Sequence, residues 1–378
     1  MRAGRPRLLV SAGEASGDLH ASRLIRELSA SCPGATYYGL GGDEMRAAGL
    51  QALADARDIA VVGITEALRV LPRARQIFKM LLEETERERA DVAVLVDSPE
   101  FNLRLAKRLH AMGVPVVYYV SPQVWAWRPK RVRQIARTVR RMLVLFPFEV
   151  DFYRSHGVEV EHVGHPLVDE VPVLPQAWDV DRTGTRRLVL LPGSRRSEIA
   201  SLLPVMLEAA ATLRRAMPQC EVKLILAPTL DHADVEPFLS RGGIEIEVVR
   251  HDRHREIADS HLALCASGTA TLEVGLLGTP MIVLYRVGWI TAVLARLLVR
   301  VPHIALVNLV LGEEVAPELV QQRARPEPVA ALASRLLADP GAITAMRANL
   351  ARLRPALGER GASRRAASAV LRVLGEGC

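Results

Sequence analysis

RLVLLPGSRRSEIASLLPVML, residues 187–207, decides the fold. Its apolar run at 188–191 fits a parallel strand covered on both faces. Pro192, Gly193 and Ser194 then turn the chain, and the apolar positions that follow repeat with helical spacing. Strand, tight turn and helix in this order are the unit of a wound α/β sheet. Gly193 permits close approach to the backbone, and Ser194 is placed to cap the helix. The N–H groups at that helix start make an anion site, to which Arg195 and Arg196 add fixed charge. The turn reads either as a diphosphate cradle, with Arg195 as the direct contact, or as an ordinary strand-to-helix turn with solvated arginines. No Walker lysine pattern and no GxGxxG accompany it.

The same alternation extends both ways. Downstream, strands are predicted at 222–226, 245–249, 262–265 and 281–284. Upstream, they are predicted at 7–11, 37–42, 91–96, 115–120 and 141–146. At 378 residues the chain is long enough for two such sheets, each in its own domain. The irregular, proline-bearing stretch 167–186 reads as the linker. The predicted fold is therefore α/β, with a parallel sheet in each of two wound domains. The first spans 1–168 and the second 169–349. The Ala- and Arg-rich end is helical, and the segment from about 350 to 378 returns to cover the first domain.

Apolar residues make up 49% of the chain and aromatics only 4%, so Leu, Val and Ala are expected to fill both cores. The net charge is +7, and 45 of the 49 basic residues are arginine. This balance favours an anionic partner such as a nucleotide, an acidic lipid surface or a nucleic acid, yet no nucleic-acid-binding motif is present. Cys32, Cys220, Cys265 and Cys378 are widely spaced, which suggests neither a zinc site nor a disulfide framework and fits a reducing cytoplasm. The first strand is predicted to begin by Leu8, so no signal peptide is expected. The most apolar long stretch, 287–312, is broken by Arg296, Arg300 and Pro302, so it is not expected to span a membrane. Within it, 289–300 reads as an amphipathic helix.

Ligands of open α/β sheets bind beyond the carboxyl ends of the strands, and the candidate residues fall there. After the first strand comes AGEASGD, 12–18, with Glu14 and Asp18 at the turn and His20 in the helix that follows. His20 reads as a base or as a partly exposed helix histidine. Asp97 ends the strand at 91–96 and could take a proton from an acceptor hydroxyl, or serve the helix opened by Ser98 and Pro99. Trp125 and Trp127 lie near Arg128, Lys130 and Arg131, where they could contact a sugar, an acyl chain or a phosphate, or simply pack. In the second half, Ser267, Gly268, Thr269 and Thr271 open a helix in a manner that suits phosphate. Glu273, one turn on, could accept hydrogen bonds from ribose hydroxyls. Asn308, Glu313 and Glu314 flank a glycine-containing turn.

Residues 58–82, DIAVVGITEALRVLPRARQIFKMLL, mix apolar side chains with Arg69, Arg73, Arg75 and Lys79. That combination suits a surface lying on anionic lipid, with Val62, Ile64, Leu68, Leu71, Phe78 and Leu81 as the contacts. It equally suits two core-facing helices split by Pro72.

Taken together, SAGEASGD (11–18), GLGGDEM (39–45), VDSPEFN (96–102), SPQVWAWR (121–128), FPFE (146–149), VGHPL (163–167), LPGSR (191–195), SGTATLE (267–273) and VPHIALVNLVLGEEVAPELVQ (301–321) resemble the lipid-A-disaccharide synthase family. The motifs run over nearly the whole chain in family order; His20 is the departure from the pattern. The resemblance implies an inverting GT-B glycosyltransferase, two Rossmann-like domains with parallel sheets facing a central cleft, that joins UDP-2,3-diacylglucosamine to 2,3-diacylglucosamine 1-phosphate (lipid X). It implies Asp97 as the base, with Glu14 and His20 in reserve. Gly193, Ser194 and Arg195 would hold the diphosphate, and Glu273 and Asn308 the nucleoside. No DxD-like pair is present, so no metal and no cofactor are expected. Both substrates carry acyl chains, which implies a peripheral enzyme on the cytoplasmic face of the inner membrane; family members can also form homodimers. The rivals are another UDP-N-acetylglucosamine enzyme of this architecture, whether a peptidoglycan transferase or a 2-epimerase, and a non-catalytic nucleotide-lipid or nucleic-acid binder. The GGTGGH pattern of the peptidoglycan transferase is absent, with SAGEASGD in its place.

Overall fold

The computed structural model describes residues 5–59, 64–127, 131–174, 185–288 and 301–376, with the side chains of 64–69, 126 and 127 outside that description. Two compact units emerge. Unit 1 comprises residues up to Pro166 together with those from Gly358 onward, and unit 2 runs from Leu167 to Leu357.

Unit 1 holds a seven-stranded sheet of β1 (Arg7–Ala12), β2 (Thr36–Gly41), β3 (Leu50–Asp55), β4 (Val92–Val96), β5 (Val116–Tyr119), β6 (Arg141–Val144) and β7 (Val160–His162). Every pairing is parallel, in the order β3-β2-β1-β4-β5-β6-β7. The order turns back between β1 and β4. Side chains alternate across the sheet, so Leu9, Leu95 and Tyr118 join one core layer and Val10, Val94 and Tyr119 the other. Both layers are covered, which is why these strands read as continuous apolar runs. The first layer lies under helices Ile64–Arg87, Pro99–Ala111 and Val132–Thr138. The second receives helix Ala15–Ser31 and the returning helix Ala362–Glu376, whose Ala366, Ala367 and Ala369 allow close packing. Aliphatics do not fill this core alone. Tyr38, Tyr118, Tyr119 and Tyr153 are all fully buried in it.

Unit 2 repeats the plan with six parallel strands: β8 (Arg186–Leu191), β9 (Cys220–Ile225), β10 (Glu247–Val249), β11 (Leu262–Ala266), β12 (Met281–Tyr285) and β13 (Glu318–Val320). Their order is β10-β9-β8-β11-β12-β13, which turns back between β8 and β11. The stretch expected to be an irregular linker begins instead with a short helix, Leu167–Glu170. Val168 and Val171 are buried there, and Arg354 donates to the carbonyls of both. The helix expected at 289–300 lies outside the described residues.

Candidate functional site

A strand order that turns back leaves a crevice at the carboxyl ends of the two strands flanking the reversal. In unit 1 those ends are Gly13–Glu14 after β1 and Asp97–Ser98 after β4. The turns touch: the Gly13 N–H donates to Ser98 Oγ at 3.1 Å. A Cβ on Gly13 would sit 2.7 Å from that oxygen and from Ile59 Cδ1, so a larger residue would have to displace both side chains. Asp97 and Ser98 both adopt left-handed backbone, at φ 48° and 47°, a conformation that costs a non-glycine residue about 1 kcal/mol or more. Asn102, fully buried, spans the reversal. Its Nδ2 donates to the carbonyls of Ser11, Val96 and Asp97, and its Oδ1 accepts from Ser11 Oγ. The Tyr118 hydroxyl donates to the Asp97 carbonyl as well, at 2.6 Å.

The Asp97 carboxyl is half-buried. Burial, and next the negative charge of Glu14, push it up to about 6, against an opposing hydrogen bond from the Ser98 backbone. Glu14 itself is exposed, immediately ahead of helix Ala15–Ser31. Asp18 has a structural task. Its carboxylate accepts from the N–H groups of Gly42, Glu44 and Met45, tying AGEASGD to GLGGDEM. His20 is directed to Tyr119, with ring centroids 6.3 Å apart. Tyr119 belongs to the core layer opposite Tyr118, so His20 lies on the other face of the sheet from the groups that hold Asp97.

In unit 2 the corresponding ends are Pro192–Arg195 after β8 and Ser267–Gly268 after β11. Ser194 does not cap the helix. The helix runs Arg196–Ala216, and Arg195 is the cap residue. Gly193, at φ 116°, does allow a close approach, but the group that approaches belongs to this chain. Glu198 reaches back, accepting from the N–H groups of Ser194 and Arg195 at 2.9 and 3.3 Å. A Cβ on Gly193 would lie 2.3 Å from its Oε2. A carboxylate thus sits on the amides expected to receive a phosphate. The side chain of Arg195 is exposed, and that of Arg196 pairs with Asp234 at 2.8 Å.

Across the reversal, Ser267 Oγ donates to the Ile304 carbonyl, and the buried Thr271 hydroxyl donates to that of Gly268. Gly268 has a φ of 146°, and Thr269 is exposed. Glu273 is buried. Its Oε1 accepts from Arg253 and from His254 Nε2. Burial pushes this carboxyl up, but the His254 hydrogen bond and the Arg253 charge outweigh it and hold it below the usual range. Asn308 differs from expectation. It is fully buried, and its amide is saturated by this chain: Nδ2 donates to Ala316 O and Glu318 Oε1, while Oδ1 accepts from Val315 and Ala316 N–H. Asn308 pins the loop before β13 and has no hydrogen-bonding capacity left for a nucleoside.

The apolar-basic segment is one helix, Ile64–Arg87, that continues through Pro72. Leu81 is fully buried with Ile77 one turn away, so it is a core residue and not a membrane contact. Phe78 is half-buried and packs edge-on to Phe101 at 5.8 Å, and Leu71 is half-buried. Val62 and the side chains of Ile64 and Leu68 lie outside the described residues. Among the described residues no helix is long and apolar enough to cross a membrane. No group of three or more His, Cys, Asp or Glu among them is placed to hold a metal ion.

A family model for lipid-A-disaccharide synthetase matches residues 8–373. The chain belongs to the lipid-A-disaccharide synthase family. A synthase of this name from Anaeromyxobacter dehalogenans (strain 2CP-C) is 46% identical over 375 residues, covering 97% of each chain. The synthase from Myxococcus xanthus is 46% identical over 377 residues, covering 98% of each. Among solved structures, the calicheamicin glycosyltransferase CalG4 aligns with a TM-score of 0.61 at 18% identity over 99% of both chains. A UDP-GlcNAc 2-epimerase from Neisseria meningitidis aligns at 0.58 and 11% identity, over 98% of this chain and all of that one. At these identities the likeness bears on the fold alone, which is the GT-B pairing of parallel-sheet domains.

For a member of the synthase family, several groups at these strand ends were not evident from sequence. Asn102 falls within VDSPEFN but carries no mark of bridging two strands. Glu198 had a signal, since an acidic residue three positions after a helix cap is a capping pattern. Arg253 and His254, on helix Arg253–Ala258, reach Glu273 from 20 and 19 residues away, and no local pattern announces that.

Proposed function

We propose that this enzyme condenses UDP-2,3-diacylglucosamine with 2,3-diacylglucosamine 1-phosphate, giving the β-1,6-linked disaccharide 1-phosphate and UDP. The family match across residues 8–373 carries the reading, and the state of Asp97 supports the mechanism. A carboxyl raised to about 6 is ionised at neutral pH yet more basic than an ordinary aspartate. It takes the proton of the acceptor 6-hydroxyl as that oxygen forms a bond to the anomeric carbon. The bond from that carbon to the UDP oxygen breaks, and UDP leaves with the electron pair. One displacement converts the α-linked donor to a β-linked product. Glu14 keeps the Asp97 proton affinity high through its charge; His20, on the opposite sheet face, takes no part.

In unit 2, Arg195, Ser194 and Gly193 receive the diphosphate once Glu198 releases its amides, and they stabilise the charge that develops on UDP. Ser267, Gly268, Thr269 and Thr271 shape the second turn. Glu273 Oε2 takes the ribose while Arg253 and His254 fix its other oxygen. Asn308 contributes by holding its loop.

The acyl chains of both substrates require access to a membrane surface. In unit 1, Leu71 and Phe78 are the described apolar candidates for that contact. Arg104, Lys107 and Arg108 lie exposed on helix Pro99–Ala111, and Arg133 and Arg137 on the adjoining helix Val132–Thr138. None of these five forms an ion pair among the described residues. This cluster of five exposed basic side chains outside ion pairs supports apposition to an anionic membrane.

Measuring UDP release with and without lipid X tests the reaction. Release from UDP-2,3-diacylglucosamine that depends on lipid X is expected. Acceptor-independent turnover, or activity confined to UDP-N-acetylglucosamine, would overturn it.

A further inference from the structure

We propose that Tyr118 is the positioning residue of the Asp97 base, acting through the peptide that joins Asp97 to Ser98. The inference rests on the reading of Asp97 as base and adds the group that aims it. The carbonyl of the Asp97–Ser98 peptide accepts from the Tyr118 hydroxyl at 2.6 Å. Its N–H, on Ser98, is on the side of the Asp97 carboxyl and favours the charged form. The preceding peptide is anchored too, by Asp97 N–H donating to the Tyr119 carbonyl at 3.1 Å. Neighbouring residues of β5 therefore fix both peptides that flank Asp97.

Asn102 cannot do this alone. Its Nδ2 carries two protons and faces three carbonyls, at 3.2, 3.0 and 2.9 Å, so its hold on Asp97 is shared. Tyr118 gives its single proton to Asp97. The Tyr118 side chain is fully buried. Two successive left-handed non-glycine residues strain this turn, at φ 48° and 47°. Without the Tyr118 bond, rotation of the 97–98 peptide relieves the strain. That rotation carries the Ser98 N–H away from the carboxylate and swings the carboxylate off its line to the acceptor. Displacements of this order cost tenfold to hundredfold in rate.

The test is steady-state kinetics of Tyr118→Phe against pH, with the folded fraction of unit 1 counted by hydrogen-exchange protection of the β4 and β5 amides. A drop in kcat of about tenfold is expected, with KM for both substrates within about twofold of wild type. The acid limb of kcat/KM should move upward, because the charged carboxylate loses its Ser98 donor. A purely structural role would lower the melting temperature and leave kcat per folded enzyme and the acid limb unchanged; that result overturns the proposal. Should Tyr118→Phe fail to fold, 3-fluorotyrosine at 118 keeps the shape with a stronger donor. It should move the acid limb downward, and an unmoved limb refutes the proposal. Asp97→Asn run in parallel separates the two readings. If that variant keeps wild-type turnover, the base assignment itself falls. If it is inactive while Tyr118→Phe matches wild type, the base stands and the positioning role falls.

Discussion

Asp97→Asn should stabilise unit 1 while abolishing turnover, and the size of the gain follows from the site. Burial and the Glu14 charge raise the carboxyl from 3.8 to about 6. A raised acid contributes stability that is fully present below its unfolded value and lost as pH rises through its folded one. The interval corresponds to about 3 kcal/mol, lost by about pH 7. The amide variant cannot ionise, is nearly isosteric, and can still accept from the Ser98 N–H. Relative to wild type it should gain little at pH 4 and up to about 3 kcal/mol at pH 8, the upper limit because salt screens the exposed Glu14. Two units need not unfold together, so the assay is hydrogen exchange at the amides of β4 and β5, compared between the two proteins at each pH. Turnover should fall by about a hundredfold or more, and wild-type kcat/KM should rise with pH through a limb near 6. A stability difference that is the same at pH 5 and pH 8 would show that Asp97 is not held above its ordinary value. The base assignment would then lose its physical support.

Other outcomes follow from the same geometry. Glu198→Gln keeps an acceptor on the Ser194 and Arg195 amides but removes the charge; UDP affinity by calorimetry at low salt should rise about fivefold, near 1 kcal/mol of relieved repulsion, and equal or weaker binding would mean the carboxylate does not compete with the diphosphate. Reversing Arg104, Lys107 and Arg133 to glutamate should weaken partitioning onto anionic vesicles by about 1 kcal/mol or more per residue while leaving UDP binding intact; unchanged partitioning would remove this face from the membrane contact. Glu149 is buried, accepts from Phe146 N–H and Trp125 Nε1, and is pushed up to about 7 chiefly by burial. Being raised, it loses its contribution as pH climbs through 7, so Glu149→Gln should add up to about 3 kcal/mol at pH 9 and almost nothing at pH 4. A pH-independent effect in urea melts would contradict this.

The strands that carry the site could be read from sequence because each is buried on both faces. DVAVLV and RLVLL admit few other environments. β3, with the sequence LQALAD, was missed because its outer edge is partly exposed and its apolar residues are small. β7 and β13 have three residues each, too few to show a period. Site residues could be read down to their place and no further. Gly193 announced that something approaches its backbone, and the sequence could not say that the visitor is Glu198. Asn308 looked like a ligand contact because a polar residue beside a turn is normally exposed; the loop that saturates it arrives seven to ten residues later. Leu81 was grouped with its apolar neighbours, although its spacing from Ile77 is that of a core stripe.

The choice of Asp97 over Glu14 and His20 follows from what a base needs. It must be charged at working pH yet more basic than a solvated carboxylate, and it must be held still. Glu14 has the charge but is exposed, and among the described residues no hydrogen bond from another element holds its side chain. His20 sits on the sheet face that the Tyr119 layer occupies. Asp97 alone combines partial burial, a like charge nearby and a backbone anchored by Asn102, Tyr118 and Tyr119. Unit 2 shows the complementary solution at the same place in its sheet. A leaving diphosphate brings its own charge, so its site needs donors and arginine, not desolvation. Under the proposed function, the exposed Arg195 would serve that need by following the phosphate as charge develops. One topology, repeated, thus presents a carboxylate raised by burial in one unit and, in the other, a turn whose amides are held by Glu198 beside an exposed arginine.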